Sequence, residues 1–295
     1  MPAPEGEVDV TTALVERLVH DQHPRLAGKV QFVSHGWDCD LYRLGTAMAV
    51  RIPRRSAGDL PVRNEQRWLG ELARALPSPV PVPLGVGRPS SVYPWAWSII
   101  PWFEGVPADT VSAEERDVCA TQLGEFVAAL HAPSPAEAPL SDYRGVALHM
   151  RDAGFRSRVT QLGDAADLVL RIWDDALGAR PHPGRSWTHG DLHPGNVVLN
   201  TVDPDRGIAA VIDFGDLSGG DPAVDLAAAW LFFSRQGRLA FRNAVDRGRA
   251  YDDDVWLRAR GWALDISLGL LTESDGSERM TALGRAGLAS ALVPE

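Results

Sequence analysis

The sequence predicts an α+β fold in two lobes: an N-terminal antiparallel sheet with one principal helix, then a mainly helical C-terminal part. Short β-rich runs at 30–34, 41–44 and 48–52 are separated by Gly36 and Gly45, as strands joined by tight turns require. From residue 112 onward the apolar residues recur at helical spacing instead. At 295 residues the chain can bury a large core, and its length fits one two-lobed unit or two ordinary domains. The division is placed at 103/104, giving an N-terminal part of 1–103 and a C-terminal part of 104–295.

An amphipathic stretch at 11–19 precedes the three strand runs. Between the first two runs lies Ser34-His35-Gly36-Trp37-Asp38-Cys39-Asp40, which fits either a plain hairpin turn or a loop folded over phosphates. A helix over 63–76 puts Glu65, Trp68, Leu69, Leu72 and Leu76 on one face, so the Glu65 carboxylate points at the core. An unpaired buried charge is strongly unfavourable, and Arg51 at the end of the third run is the natural cation for it. Residues 76–83 are proline-rich and extended, 95–103 supply the last strands, and Pro101-Trp102-Phe103-Glu104-Gly105 forms a hinge.

The C-terminal part opens on Ser112 and Glu115, a capping box ahead of a helix whose Cys119, Leu123, Phe126, Val127 and Leu130 share a face. A short Pro/Ala linker at 132–139 and a helix over 161–177 follow. Asp221 and Pro222 supply an N-cap and a first-turn proline for a helix running to about 233, which sets Asp225 among Leu226, Ala227, Ala229 and Trp230. A mostly apolar helical stretch at 252–272 carries Trp256, Arg260, Trp262 and Asp265.

No stretch of about eighteen uncharged apolar residues is present, and the acidic start lacks a basic segment followed by an apolar run, so a cytosolic protein is expected. Cys39 and Cys119 form no metal or redox spacing. Residues 1–103 carry 11 basic and 10 acidic side chains (+1), and residues 104–295 carry 18 and 29 (−11). That acidity disfavours a nucleic acid or an anionic membrane as partner and favours a cationic small molecule, with solubility alone as the plainer explanation.

The most specific feature is His189-Gly190-Asp191-Leu192-His193-Pro194-Gly195-Asn196, followed by Ile212-Asp213-Phe214-Gly215. In this pattern of phosphoryl transfer one loop aspartate orients the attacking hydroxyl and accepts its proton. An asparagine five residues on holds a metal, and the aspartate before Phe-Gly joins metal to nucleotide phosphates. Those roles fall to Asp191, Asn196 and Asp213, with strand-like flanks at 197–199 and 208–212. The two histidines are four apart, as zinc ligands on a helix would be, but Gly190, Pro194 and Gly195 oppose a helix there.

These segments, with VIDFGD at 211–216, GDPAVDLA at 220–227 and VRIPRR at 50–55, resemble the aminoglycoside phosphotransferase family, which includes macrolide phosphotransferases and small-metabolite kinases. The resemblance runs from about 29 to about 270 and implies a protein-kinase-like fold, Mg2+, and ATP or GTP as co-substrate. It makes Asp191 the catalytic base, Asn196 and Asp213 the metal residues, and His189 and Asp225 braces of the catalytic loop. Arg51 takes the place of the usual nucleotide-phosphate lysine, paired with Glu65. Ser34 and Gly36 fall at the phosphate cover, and Trp102 and Glu104 fall at the purine edge of the hinge. Asp216, Trp262 and Asp265 are assigned to the acceptor side.

Only five residues separate Gly215 from Asp221, too few for the activation segment of a protein kinase. The expected activity is therefore transfer of a γ-phosphoryl group to a hydroxyl of a small molecule, an antibiotic such as an aminoglycoside or macrolide. The alternatives are a kinase for an amino alcohol or sugar, and a non-catalytic nucleotide-binding protein.

Overall fold

Thr11 caps the first helix: its hydroxyl accepts the Leu14 N–H at 3.2 Å at the start of α1 (Thr12–Gln22), which buries Val15, Leu18 and Val19. The computed structural model describes residues 4–201, 207–272 and 277–293. After α1 come β1 (Val30–His35), β2 (Cys39–Leu44), β3 (Met48–Pro53), α2 (Asp59–Leu72), β4 (Gly85–Gly87) and β5 (Trp97–Pro101). The strands form one antiparallel sheet in the order β1-β2-β3-β5-β4. Its register sets Arg51 opposite Leu41 on β2 and Ser98 on β5, in the middle of the sheet. Apolar residues of α1 and the sheet, among them Leu18, Leu44, Val50, Trp97 and Ile99, make a separate small core.

The chain then continues through β6 (Val106–Pro107), α3 (Ala113–Arg116), α4 (Ala120–Leu130), α5 (Asp152–Val159), α6 (Ala166–Gly178), β7 (Ser186–Thr188), β8 (Val197–Leu199), β9 (Ile208–Val211) and β10 (Ser218–Gly220). It ends in α7 (Ala223–Leu226), α8 (Ala228–Phe232), α9 (Arg235–Arg249), α10 (Asp253–Thr272) and α11 (Glu278–Leu292). Two small antiparallel sheets, β6-β8-β9 and β7-β10, frame the segments around 189–196 and 213–217. Beneath them the helices enclose the larger core, with Phe126, Trp173, Phe214, Trp230 and Trp262 at its centre. Removing that apolar area from water is the main favourable term of the fold. No helix among the described residues is long and apolar enough to cross a membrane.

Several boundaries differ from those the sequence predicts. Helix α2 starts at Asp59 and stops at Leu72. Asp59 takes the Ala96 N–H at 2.7 Å and pairs with Arg63 one turn on, which anchors the earlier start, and past Leu72 the bonding tightens, with the Arg74 N–H to the Glu71 carbonyl and the Ala75 N–H to the Leu72 carbonyl. The face predicted for this helix still holds, with Glu65, Trp68 and Leu69 buried. Helix α6 begins only after a 3-10 turn at Gly163–Ala165, whose glycine sits at φ +56°. The helix expected to reach 233 is two short pieces, α7 and α8, where the bonding tightens at Trp230 N–H to Ala227 C=O. At 112–115 the capping box forms, and all five residues of the predicted stripe from Cys119 to Leu130 are buried.

Candidate active site

The loop after β7 is shaped by one carboxylate. Asp225 on α7 is fully buried; its Oδ2 accepts the His189 N–H at 2.7 Å and its Oδ1 the Gly190 N–H at 2.9 Å. His131, at the end of α4, lies with Nε2 3.2 Å from Asp225 Oδ2, while the Tyr251 hydroxyl faces its Nδ1 at 3.0 Å. Gly190 has φ +84°, and a Cβ there would come within 2.7 Å of the Asp216 carbonyl oxygen, so glycine alone fits. Replacing Asp225 with alanine strands two buried backbone donors and His131. Asp225→Ala is expected to lose about 3 kcal/mol or more, read as a lower urea midpoint with unchanged slope.

Both histidines of the motif are occupied within the loop. His189 Nε2 donates to the Ile212 carbonyl at 3.0 Å while its Nδ1 accepts the Asp191 N–H at 3.2 Å. His193 Nδ1 accepts the Gly195 N–H at 3.0 Å, and its Nε2 stands 3.4 Å from Asp191 Oδ2. No ring nitrogen is left for zinc, and no group of three His, Cys, Asp or Glu side chains among the described residues is arranged to hold a metal. The sharp turn at 189–196 spends these atoms on loop geometry.

Asp191, Asn196 and Asp213 come together through the β8–β9 ladder. Val197 pairs with Val211, and the Ile212 N–H donates to the Asn196 carbonyl at 2.9 Å, which sets Asp213 beside Asn196. The Asn196 amide nitrogen donates to the Asp191 carbonyl at 2.8 Å and lies 3.3 Å from its carboxylate. That commits the nitrogen and leaves the amide oxygen as the atom that could take a metal. Asp213 sits at φ +60°, a conformation that aspartate and asparagine adopt more readily than other side chains.

Arg51 reaches both Glu65, with Nε 3.3 Å from Oε2, and Asp213, with Nη2 2.9 Å from Oδ1. Burial pushes Glu65 up to about 7 despite that guanidinium. For Asp213 burial pulls the same way, but Arg51 outweighs it and holds the carboxyl below its ordinary value. Arg51→Ala is expected to raise the Michaelis constant for nucleotide and lower the melting temperature, whereas Arg51→Lys keeps part of both. A change in melting alone would mark Arg51 as structural.

Asp191 is not a free carboxylate. Arg144, from the segment before α5, places Nη2 2.8 Å from Asp191 Oδ1 and Nε 3.8 Å from Asp216 Oδ2. Burial raises the Asp191 carboxyl, but Arg144, with His193 and His189, outweighs it and holds the group well below the usual carboxylate range. Asp216 also accepts the Tyr143 hydroxyl at 2.6 Å, and burial raises its own carboxyl. Neither Arg144 nor His131 is marked by a motif. For His131 a signal existed, since it follows Val127 by four residues on the buried face of α4. For Arg144 there was none.

The six other predicted residues have the following surroundings. Trp262 is fully buried in the larger core, and Asp265 is 2% exposed, bound by Arg151 at 3.0 Å and by Arg158. Helix α10 is enclosed along this stretch, and both side chains are buried. Ser34 is an exposed residue of β1, and the Gly36 N–H donates to the Cys39 carbonyl at 2.8 Å, closing a hairpin turn. At the hinge the Trp102 N–H is taken by the Ala47 carbonyl at 2.9 Å, and the ring lies under Arg43, 4.1 Å from its centroid. Glu104 pairs with Arg43 at 2.9 Å.

The N-terminal antiparallel sheet and the helical C-terminal part form the α+β fold of protein-kinase-like phosphotransferases, with Asp191, Asn196 and Asp213 drawn to one loop and the strands beside it. The sequence matches the phosphotransferase enzyme family (APH) over residues 29–262, and the chain belongs to that family. Viomycin phosphotransferase of Streptomyces vinaceus is 34% identical over 115 residues, 38% of this chain and 39% of that protein. The matched part thus spans well under half of that relative. Among solved structures, the GDP and kanamycin complex of APH(2″)-IIIa superposes with a TM-score of 0.71 at 17% identity, covering 93% of this chain and 97% of that one. Macrolide 2′-phosphotransferase MphH of Brachybacterium faecium gives 0.63 at 24% identity over 95% and 98% of the two chains. At these identities the likeness is one of fold.

Proposed function

We propose that this phosphotransferase moves the γ-phosphoryl group of ATP or GTP to a hydroxyl of a small molecule, with an antibiotic as the acceptor class. The observation that carries this reading is the convergence of Asp191, Asn196 and Asp213 on one loop and ladder, with Arg51 already drawn to Asp213. Names among the relatives support the acceptor class, since viomycin, kanamycin and macrolides all appear there.

The donor atoms fit magnesium. A carboxylate oxygen of Asp213 and the amide oxygen of Asn196 are hard ligands, and a site this sparse suits an ion that arrives with the nucleotide and keeps phosphate oxygens in its shell. Magnesium held there would neutralise charge on the phosphates. Arg51 binds phosphate oxygens, trading part of its contact with Asp213 for them. Asp191 orients the acceptor hydroxyl and takes its proton as the oxygen bonds to the γ-phosphorus and the β–γ bridging bond breaks.

A cavity of about 410 Å³ is lined by Leu148, Met150 and Leu177 together with Arg144, Arg185, Arg258 and Asp221, and Asp191 is not in its wall. It suits an acceptor with a partly apolar body. The excess of acid in 104–295 adds long-range attraction for a cationic one. The test is a panel of viomycin, kanamycin, a macrolide, amino alcohols and sugars, each assayed for nucleotide consumption with magnesium and for an added phosphoryl group by mass. An antibiotic should turn over fastest, with a Michaelis constant that rises with potassium chloride. A sugar or amino alcohol as best acceptor would move the assignment to a metabolite kinase.

A further inference from the structure

Arg144 stands in a segment that carries no catalytic motif, yet its guanidinium reaches the centre of the site. One nitrogen is 2.8 Å from Asp191 Oδ1, and Nε faces Asp216 at 3.8 Å, buried and without a hydrogen-bond partner. A guanidinium offers five N–H donors, so this one holds unused capacity beside the base. The other arginine of the site, Arg51, is committed on the opposite side to Asp213 and Glu65. Phosphoryl transfer spreads negative charge over the three equatorial oxygens of the group in flight, between the base and the metal, and a planar cation with several donors suits that charge.

We propose, on the footing of the reaction given above, that Arg144 moves from Asp191 onto the transferring phosphoryl group, as an arginine supplied by the chain's own 140–150 segment. The move has two consequences. It places a fixed positive charge on the equatorial oxygens, and it frees Asp191 Oδ1 for the attacking hydroxyl. As the new P–O bond forms, the β–γ bridging bond breaks with its electron pair going to the nucleoside diphosphate, and the hydroxyl proton passes to Asp191. Tyr143, through its hydrogen bond to Asp216 at 2.6 Å, keeps the segment at the site during the exchange.

The test compares the full-length wild type, Arg144→Ala and Arg144→Lys. It measures binding of magnesium with ADP or GDP, with and without aluminium fluoride as a mimic of the phosphoryl group in flight, and slow hydrolysis of magnesium ATP or GTP with water as acceptor. Arg144→Ala should bind the diphosphate as the wild type does, bind the fluoride complex about 100-fold more weakly, and hydrolyse nucleotide about 10²–10³-fold more slowly. Arg144→Lys should fall between. Should Arg144→Ala not fold, Arg144→Gln carries the same comparison. Fluoride-complex affinity and hydrolysis equal to wild type in a folded variant would overturn the proposal and leave Arg144 a strut between two aspartates. A wild type that binds neither diphosphate would overturn the reading of the site itself, and this inference with it.

Discussion

Asp191→Asn should lower turnover by about two to four decades while leaving magnesium-nucleotide affinity unchanged. The substitution keeps the shape of the side chain and removes the group that accepts the hydroxyl proton. Asn196 keeps its bond to the Asp191 backbone carbonyl, which the substitution does not touch, so the loop should hold its form. Arg144 then loses one of its two carboxylates and keeps Asp216. Turnover near wild type would remove Asp191 from the mechanism.

Asp213→Ala should have a different signature: loss of magnesium-dependent nucleotide binding together with loss of transfer. The carboxylate is the single acidic oxygen donor assigned to the metal, and it also positions Arg51 at 2.9 Å. Without it Arg51 collapses onto Glu65 alone, so the phosphates lose both a metal bridge and a prepared cation. Calorimetry of magnesium nucleotide against the variant reads this directly. Unchanged affinity would show that the metal is held elsewhere.

Much of this site was legible because it is built from contiguous residues. The run 189–196 is a turn whose glycines, proline and polar atoms are consumed locally, and β8 and β9 bring Asp213 to Asn196 by ladder pairing. Such short-range constraints leave a mark on sequence. The pairing of Arg51 with Glu65 was legible for another reason, since a carboxylate on the apolar face of α2 must find a cation. Arg144 was not, because its approach to Asp191 depends on how the segment before α5 packs across a sequence separation of 47 residues.

The acceptor side shows the same limit. Trp262 and Asp265 sit on a helix whose apolar content marks it as important but does not say which way it faces, and α10 is enclosed along this stretch. A carboxylate there was as consistent with a buried ion cluster as with a pocket, and the arginines at 151 and 158 decide for the cluster. At the phosphate cover a single glycine could not separate a phosphate loop from a hairpin. The bond from Gly36 to Cys39 closes a turn there, and both readings share that turn.

The central claim, that Asp191 directs a γ-phosphoryl group onto a small-molecule hydroxyl, is tested most directly by following the label from γ-labelled nucleotide in the presence of magnesium and viomycin, kanamycin or a macrolide. The account predicts that wild-type protein moves the label onto one of these acceptors with an equal yield of nucleoside diphosphate, and that Asp191→Asn slows the transfer by about two to four decades. Label that appears on the acceptor equally fast with Asp191→Asn, or that never leaves the nucleotide with any acceptor of the wider panel, would contradict it.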